Sequence, residues 1–156
     1  MRYDFFGSEE GAQRPGESDE AYMNRAVSAF FQPGDLHQVN EMLKAELVSC
    51  SLEPFQITAR YHGLPWMLNP SGTVQGGVMT SAYDMTMGFA VRFVRRADSC
   101  ITIQMNTEFM RAVPGGESFL ITATVEKSGA RAVFVSAKAW LEKDGKLLGT
   151  CSAVFA

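Results

Sequence analysis

One carboxylate, Asp84, stands alone among the formally charged side chains between Arg60 and Arg92. It sits in an apolar run with helical spacing, nine residues after Gln75 in the turn Gln75-Gly76-Gly77. Positions three and four apart share a helix face, so Asp84 lines up with Gly77, Thr80, Ser81 and Gly88. That strip is small and polar, and it leaves room beside the carboxylate for a substrate and a water. The Gly76-Gly77 turn offers unhindered backbone N–H groups where a helix begins. There the dipole and free donors favour negative charge, including an oxyanion forming from a carbonyl. A carboxylate two turns on could activate water or attack the carbonyl directly. The combination suits acyl transfer. The same residues admit a plainer reading, in which Asp84 bonds a neighbouring backbone group and the glycines only permit a tight turn.

Other chemistries find less support. His37 and His62 are the two histidines, and the three cysteines (Cys50, Cys100, Cys151) lie far apart, so no cluster has metal-ligand spacing and no disulfide framework is implied. The cysteines read as buried thiols.

The elements that must position Asp84 follow from periodicity. A helix is expected over 18–31, closed by Pro33-Gly34, and Asp35 is a plausible N-cap for a second helix over 35–49. In Phe55–His62, Phe55, Ile57, Ala59 and Tyr61 alternate with Gln56, Thr58, Arg60 and His62, the pattern of a strand with two unlike faces. Further alternating stretches at 99–109, 117–127, 131–141 and 146–155 are separated by Pro114-Gly115-Gly116, Ser128-Gly129 and Asp144-Gly145, which suggests a meander. A helix over 77–91 lies between the first strand and the rest, and its apolar positions need cover nearly all round. The expected fold class is therefore α+β, a curved antiparallel sheet of five strands wrapped around one central helix, with extra N-terminal helices.

At 156 residues, 46% hydrophobic and 20% charged, the chain suits one domain over 18–156, with N-terminal helices over 18–50 and the core over 55–156. Residues 1–17, rich in Gly, Glu and Ser, are expected to form a mobile or loosely docked tail. A net charge of −3 with scattered basic residues gives no footprint for nucleic acid. The start lacks the apolar core of a signal peptide and no run is long enough to span a bilayer, so no membrane partner and a cytoplasmic setting are expected.

Asn69-x-x-Gly72-x-x-Gln75-Gly76-Gly77 followed by Asp84 resembles the signature of hotdog-fold acyl-CoA thioesterases of the phenylacetate-pathway, or PaaI-like, type. The segment from Phe109 to Glu117 is similar to that family's F-x-R-x-V-x-x-G-[DE] turn, and Gly129-Ala130-Arg131 and Asp144-Gly145-Lys146 resemble its hairpins. The resemblance implies that Asp84 is the catalytic base or nucleophile. Gly76 and Gly77 would polarise the thioester oxygen, and Asn69 would position water or the loop. Thr80, Ser81 and Gly88 would border the substrate, and Arg111 and Arg131, with the Arg95-Arg96 pair, are candidates to meet its phosphates. It further implies a coenzyme A thioester as substrate, no separate cofactor, and a homodimer or homotetramer whose sites form across the dimer interface. Gln75 stands where the family usually has histidine; it keeps polarity but cannot titrate near neutral pH. A non-catalytic acyl-CoA binder is the alternative. A hydratase is a weaker one, since such chemistry uses a histidine in the site.

Overall fold

A computed structural model describes residues 5–32 and 39–156. The expected Pro33-Gly34 stop, the Asp35 cap and His37 lie outside the described residues. The elements run α1 Asp19–Phe30, α2 Val39–Leu43, β1 Glu46–Leu52, β2 Phe55–His62, a 3-10 turn Pro65–Met67, α3 Gly76–Arg95, β3 Thr102–Phe109, β4 Ser118–Ser128, β5 Val133–Leu141 and β6 Leu147–Phe155. All six strands form one antiparallel sheet in the order β1-β2-β4-β5-β6-β3.

Alternation puts one face of the sheet against α3. Ile57, Ala59 and Tyr61 of β2, Phe119, Ile121 and Ala123 of β4, and Val133, Val135, Ala137, Ala139 and Leu141 of β5 are buried there. Across from them α3 buries Met79, Ala82, Tyr83, Met87 and Ala90, as its apolar stripes require. Thr86 is fully buried yet satisfied, because its Oγ1 donates to the Ala82 carbonyl (2.9 Å) and Tyr61 donates to Thr86 Oγ1 (2.7 Å).

Three expectations are corrected. The second helix stops after Leu43, and Glu46–Leu52 is instead an edge strand paired with β2. Lys44 there takes a left-handed φ of 48°, and strand pairing overrides the helix-favouring Glu and Leu residues. The sheet thus has six strands rather than five. Pro114-Gly115-Gly116 is not a hairpin turn, because β3 pairs with β6 whereas β4 pairs with β2 and β5. Helix α3 continues past Val91 to Arg95, where the Phe93 ring stacks on Phe55 (5.2 Å) and the Arg92 guanidinium covers the Phe30 ring (4.4 Å).

The N-terminal tail docks from Phe5 onward. Phe5 is 5% exposed against Phe30, Phe6 N–H donates to Asp98 Oδ1 (2.9 Å), and Tyr22 donates to the Gly11 carbonyl (3.0 Å). A side chain at position 11 has no room, since a Cβ would lie 1.8 Å from the Phe5 carbonyl oxygen. Glu17 closes this layer: Arg25 donates from Nε and Nη2 to its two carboxylate oxygens (2.9 and 2.8 Å), and Arg14 N–H adds a third bond (3.0 Å). The Arg25 bond first, and the Arg14 N–H second, push the Glu17 carboxyl down from 4.5 to about 2. A carboxyl lowered in the folded state adds stability that is complete above its unfolded value of 4.5 and is lost as pH falls from there towards 2. Denaturation midpoints of Glu17→Gln should therefore fall less steeply than wild type over that interval; parallel curves would show that the bond contributes nothing.

Candidate active site

The loop entering α3 is held by Asn69. Its Oδ1 accepts from the N–H groups of Ser71 (2.9 Å) and Thr73 (3.3 Å), and its Nδ2 donates to Thr73 Oγ1 (2.9 Å). Gly72 turns at φ 74°, and Gln75 N–H bonds the Met67 carbonyl (2.8 Å). The Asn69 amide is thus engaged in shaping the loop that aims Gln75 and the two glycines.

Gln75 is the N-cap of α3, exposed and without a capping bond from its side chain. Val78 and Met79 N–H groups bond the Gln75 carbonyl (3.0 and 3.1 Å), whereas those of Gly76 and Gly77 donate to nothing among the described residues. Two free donors therefore point out of the helix N-terminus. A Cβ at Gly76 would press on the Phe109 ring at 3.3 Å. At Gly77 it would meet only Gln75 Oε1 at 4.0 Å, so the backbone there stands open to a ligand. Beside them lies a cleft of about 360 Å³ bordered by Asn69, Gly76, Met79, Phe109 and Arg111. Arg111 is exposed and tethered by one nitrogen to the Leu147 carbonyl (2.7 Å).

Thr80 and Ser81 hydroxyls donate to the carbonyls of Gly76 and Gly77 (3.0 Å each), so their protons are committed and only their lone pairs face outward. Further along the same face, half-buried Asp84 accepts at Oδ1 from Thr102 Oγ1 (2.7 Å). The sequence carries no signal for Thr102: it lies on β3, and no spacing along the chain ties it to Asp84. Beyond them Cys100 Sγ approaches the Gly88 carbonyl (3.6 Å). Burial pushes the Cys100 thiol up to about 11, with Arg92 opposing and Asp84 reinforcing, and burial also raises Cys151. Both thiols are protonated at neutral pH, which leaves the Asp84 carboxylate as the candidate base or nucleophile on this face.

Asp84 is eight residues after Gly76, about 12 Å along the helix axis at 1.5 Å per residue. A carbonyl held by the Gly76 and Gly77 donors is out of reach of the same chain's carboxylate. Arg131 is separated further: its neighbour Ala130 accepts from Arg95 Nη1 (3.1 Å), at the opposite end of α3 from Arg111. His62 faces Ser118 (2.8 Å) and Glu46 (3.5 Å), away from Asp84. Among the described residues no group of three or more His, Cys, Asp or Glu side chains could hold a metal ion, and no helix is long and apolar enough to cross a membrane.

Residues 71–148, half of the chain, match the model of a family described as the thioesterase superfamily. A Pseudomonas aeruginosa protein provisionally named an esterase is 28% identical over 88 residues, 56% of this chain and 64% of that protein, so the match spans just under two thirds of that relative. A Ralstonia eutropha phenylacetic acid degradation-related protein of thioesterase type superposes with a TM-score of 0.72 at 25% identity, covering 81% of this chain and 95% of that one. A Streptococcus mutans protein solved with acetyl CoA shares the fold at a TM-score of 0.64 and 15% identity, covering 78% and 94%.

Proposed function

The chain belongs to the thioesterase superfamily, with a hotdog sheet-and-helix fold, and from that membership we propose that it hydrolyses acyl-coenzyme A thioesters to the free acid and coenzyme A. The observation that carries the reading is the presence on α3 of a carboxylate anchored by Thr102 and, at its N-terminus, two N–H groups with no partner among the described residues. The thioester oxygen accepts from the Gly76 and Gly77 N–H groups of a second copy, since those of the same chain lie about 12 Å from Asp84 along α3. Asp84 takes a proton from a water on the small-residue strip, and that water attacks the carbonyl carbon. The oxyanion stays on the two donors until the carbon–sulfur bond breaks and the thiolate leaves, to be protonated in solvent. Direct attack by Asp84, through an anhydride that water then hydrolyses, uses the same groups.

The 12 Å step along α3 supports a site shared by two copies, one giving Asp84 and the other the Gly-Gly turn. The surface of β3 supports the same arrangement. It is an edge strand, and Ile101 (71% exposed), Ile103 (60%), Phe109 (53%) and Met110 (50%) lie on or beside it. A homodimer joined there, alone or doubled into a tetramer, covers both features. Arg111, at the cleft beside Gly76, then meets the phosphates of coenzyme A, and the acetyl CoA held by the Streptococcus mutans protein supports that ligand class. Arg131 contributes only if a second copy brings it near. Three free cysteines suit the cytoplasm.

Release of free thiol from a panel of acyl-CoAs, followed with a thiol-reactive dye, tests the reaction, and enzyme-dependent release is expected. Gln75 favours one competitor, a binder without turnover, because it leaves the turn with no titratable group. Saturable acyl-CoA binding with no thiol release would establish that competitor.

Thr102→Val deletes the bond that fixes Asp84. A hydrogen bond to a charged group is worth about 1.5–3 kcal/mol, so kcat should fall about tenfold or more with KM nearly unchanged. Unaltered kcat would mean that Asp84 holds its position without Thr102.

A further inference from the structure

At about 100° per residue, Gly77, Ser81, Asp84 and Gly88 fall within roughly 60° of arc on α3, and Met85 follows Ser81 by about 40° on the side away from Asp84. Two different walls flank this arc. On the Asp84 side stands β3 with its approach, through Thr102 on Asp84 (2.7 Å) and Cys100 on Gly88 (3.6 Å). On the Met85 side stands the N-terminal layer, whose Phe30 and Phe31 rings lie 5.4 and 4.9 Å from that of Phe89. Between the walls Gly77 is exposed and Ser81 half-buried, so a strip of small, accessible residues runs beside the carboxylate.

Met85, next to Asp84 in the chain, also borders a cavity of about 390 Å³ whose other walls include Phe30, Phe31, Lys44, Ala45 and Glu46. Its floor is apolar, with Phe30 3% and Met85 7% exposed, and its rim carries Lys44 and Glu46. That volume is ample for a small-molecule site, and an apolar floor under a polar rim is the usual make-up of one.

We infer that this cavity receives the acyl group of the thioester, and that it selects apolar acyl bodies larger than acetyl. The inference rests on the thioesterase reading and adds to it the part of the substrate that is kept. With the carbonyl carbon at Asp84 and the leaving thiol directed to the cleft beside the second copy's Gly-Gly turn, the acyl group extends the other way, past Met85 of the copy that gives Asp84. Burial of successive methylenes against Phe30, Phe31 and Met85 then favours longer chains by a few-fold each. The N-terminal layer, which holds neither Asp84 nor the Gly-Gly turn, thereby becomes the specificity element of the enzyme.

The test compares wild type, Met85→Trp and Phe31→Ala, each checked for cooperative thermal unfolding, on straight-chain acyl-CoAs from acetyl to decanoyl. Filling the cavity with Met85→Trp should lower the ratio of kcat/KM for decanoyl over acetyl at least tenfold. Widening it with Phe31→Ala should move the preference to longer chains, and that variant decides if Met85→Trp does not fold. Calorimetric binding of free decanoate is measured alongside, because it needs no turnover, and its affinity should fall at least tenfold in Met85→Trp. Where thioesters are hydrolysed, an unchanged length profile overturns the acyl cavity and leaves the hydrolase standing. Where none is hydrolysed, loss of decanoate affinity keeps the cavity as an apolar carboxylate site and removes the hydrolase, and unchanged affinity removes both.

Discussion

Asp84→Asn should leave a folded protein whose thioester turnover is at least about a hundredfold lower. Asparagine keeps the shape of the side chain and an oxygen able to accept from Thr102 Oγ1, so the 2.7 Å bond that sets the rotamer survives. What disappears is the ability to take a proton or attack a carbonyl. Asp84 is half-buried and in no ion pair among the described residues, so the thermal midpoint should move little, and a folded, slow enzyme is the expected result. Steady-state kinetics with thiol detection reads the outcome. Full turnover in Asp84→Asn would send the chemistry to another group, and the protonated Cys100 and Cys151 are poor successors.

Gly77→Val should be comparably damaging for a different reason. A Cβ at this position meets only Gln75 Oε1 at 4.0 Å, so valine fits the fold but stands where the substrate must reach the N–H groups. Loss of one oxyanion donor raises a barrier by about 3 kcal/mol, so about a hundredfold or more is expected. The stronger experiment mixes the two inactive proteins. If each site takes Asp84 from one copy and the Gly-Gly turn from the other, a mixed dimer holds one intact site and one doubly damaged site. About half the wild-type activity per mixed dimer should then return after subunit exchange. No recovery despite demonstrated exchange would mean that a single chain builds the whole site, against the 12 Å that separates its parts along α3.

Much of this framework is legible in the residues because burial is written as a period. The alternation of Phe55–His62 fixes β2 at both ends, and the stripes of α3 announce a helix covered on most sides. In Glu46–Leu52 the period is short, since Val48, Cys50 and Leu52 alternate with Ser49 and Ser51 only after the helix-favouring Glu46 and Leu47, and pairing with β2 decides it. Strand order is hidden for a related reason. The short link through Pro114-Gly115-Gly116 looks like a hairpin, but the partner that β3 finds lies at the far end of the chain. At the site, Asp84, Gly76 and Gly77 betray themselves by being out of character with their surroundings. Thr102 does not, because a threonine on a strand is ordinary and its meeting with Asp84 is made in three dimensions.

The pairing of β3 with β6 also sets a clock for the chain as it is made. β3, at Thr102–Phe109, leaves the ribosome well before Leu147–Phe155, the one strand among the described residues that hydrogen-bonds to it, and at ordinary rates of synthesis the wait is on the order of seconds. During that interval β1, β2, β4 and β5 can assemble around α3, while Ile101, Ile103 and Phe109 remain unpaired and adhesive. The hydroxyl that fixes Asp84 rides on the waiting strand, so the carboxylate is locked only when β6 arrives. A ribosome that stops short of β6 releases a chain with most of its core and a free, sticky edge, the kind of product that chaperones and proteases must remove.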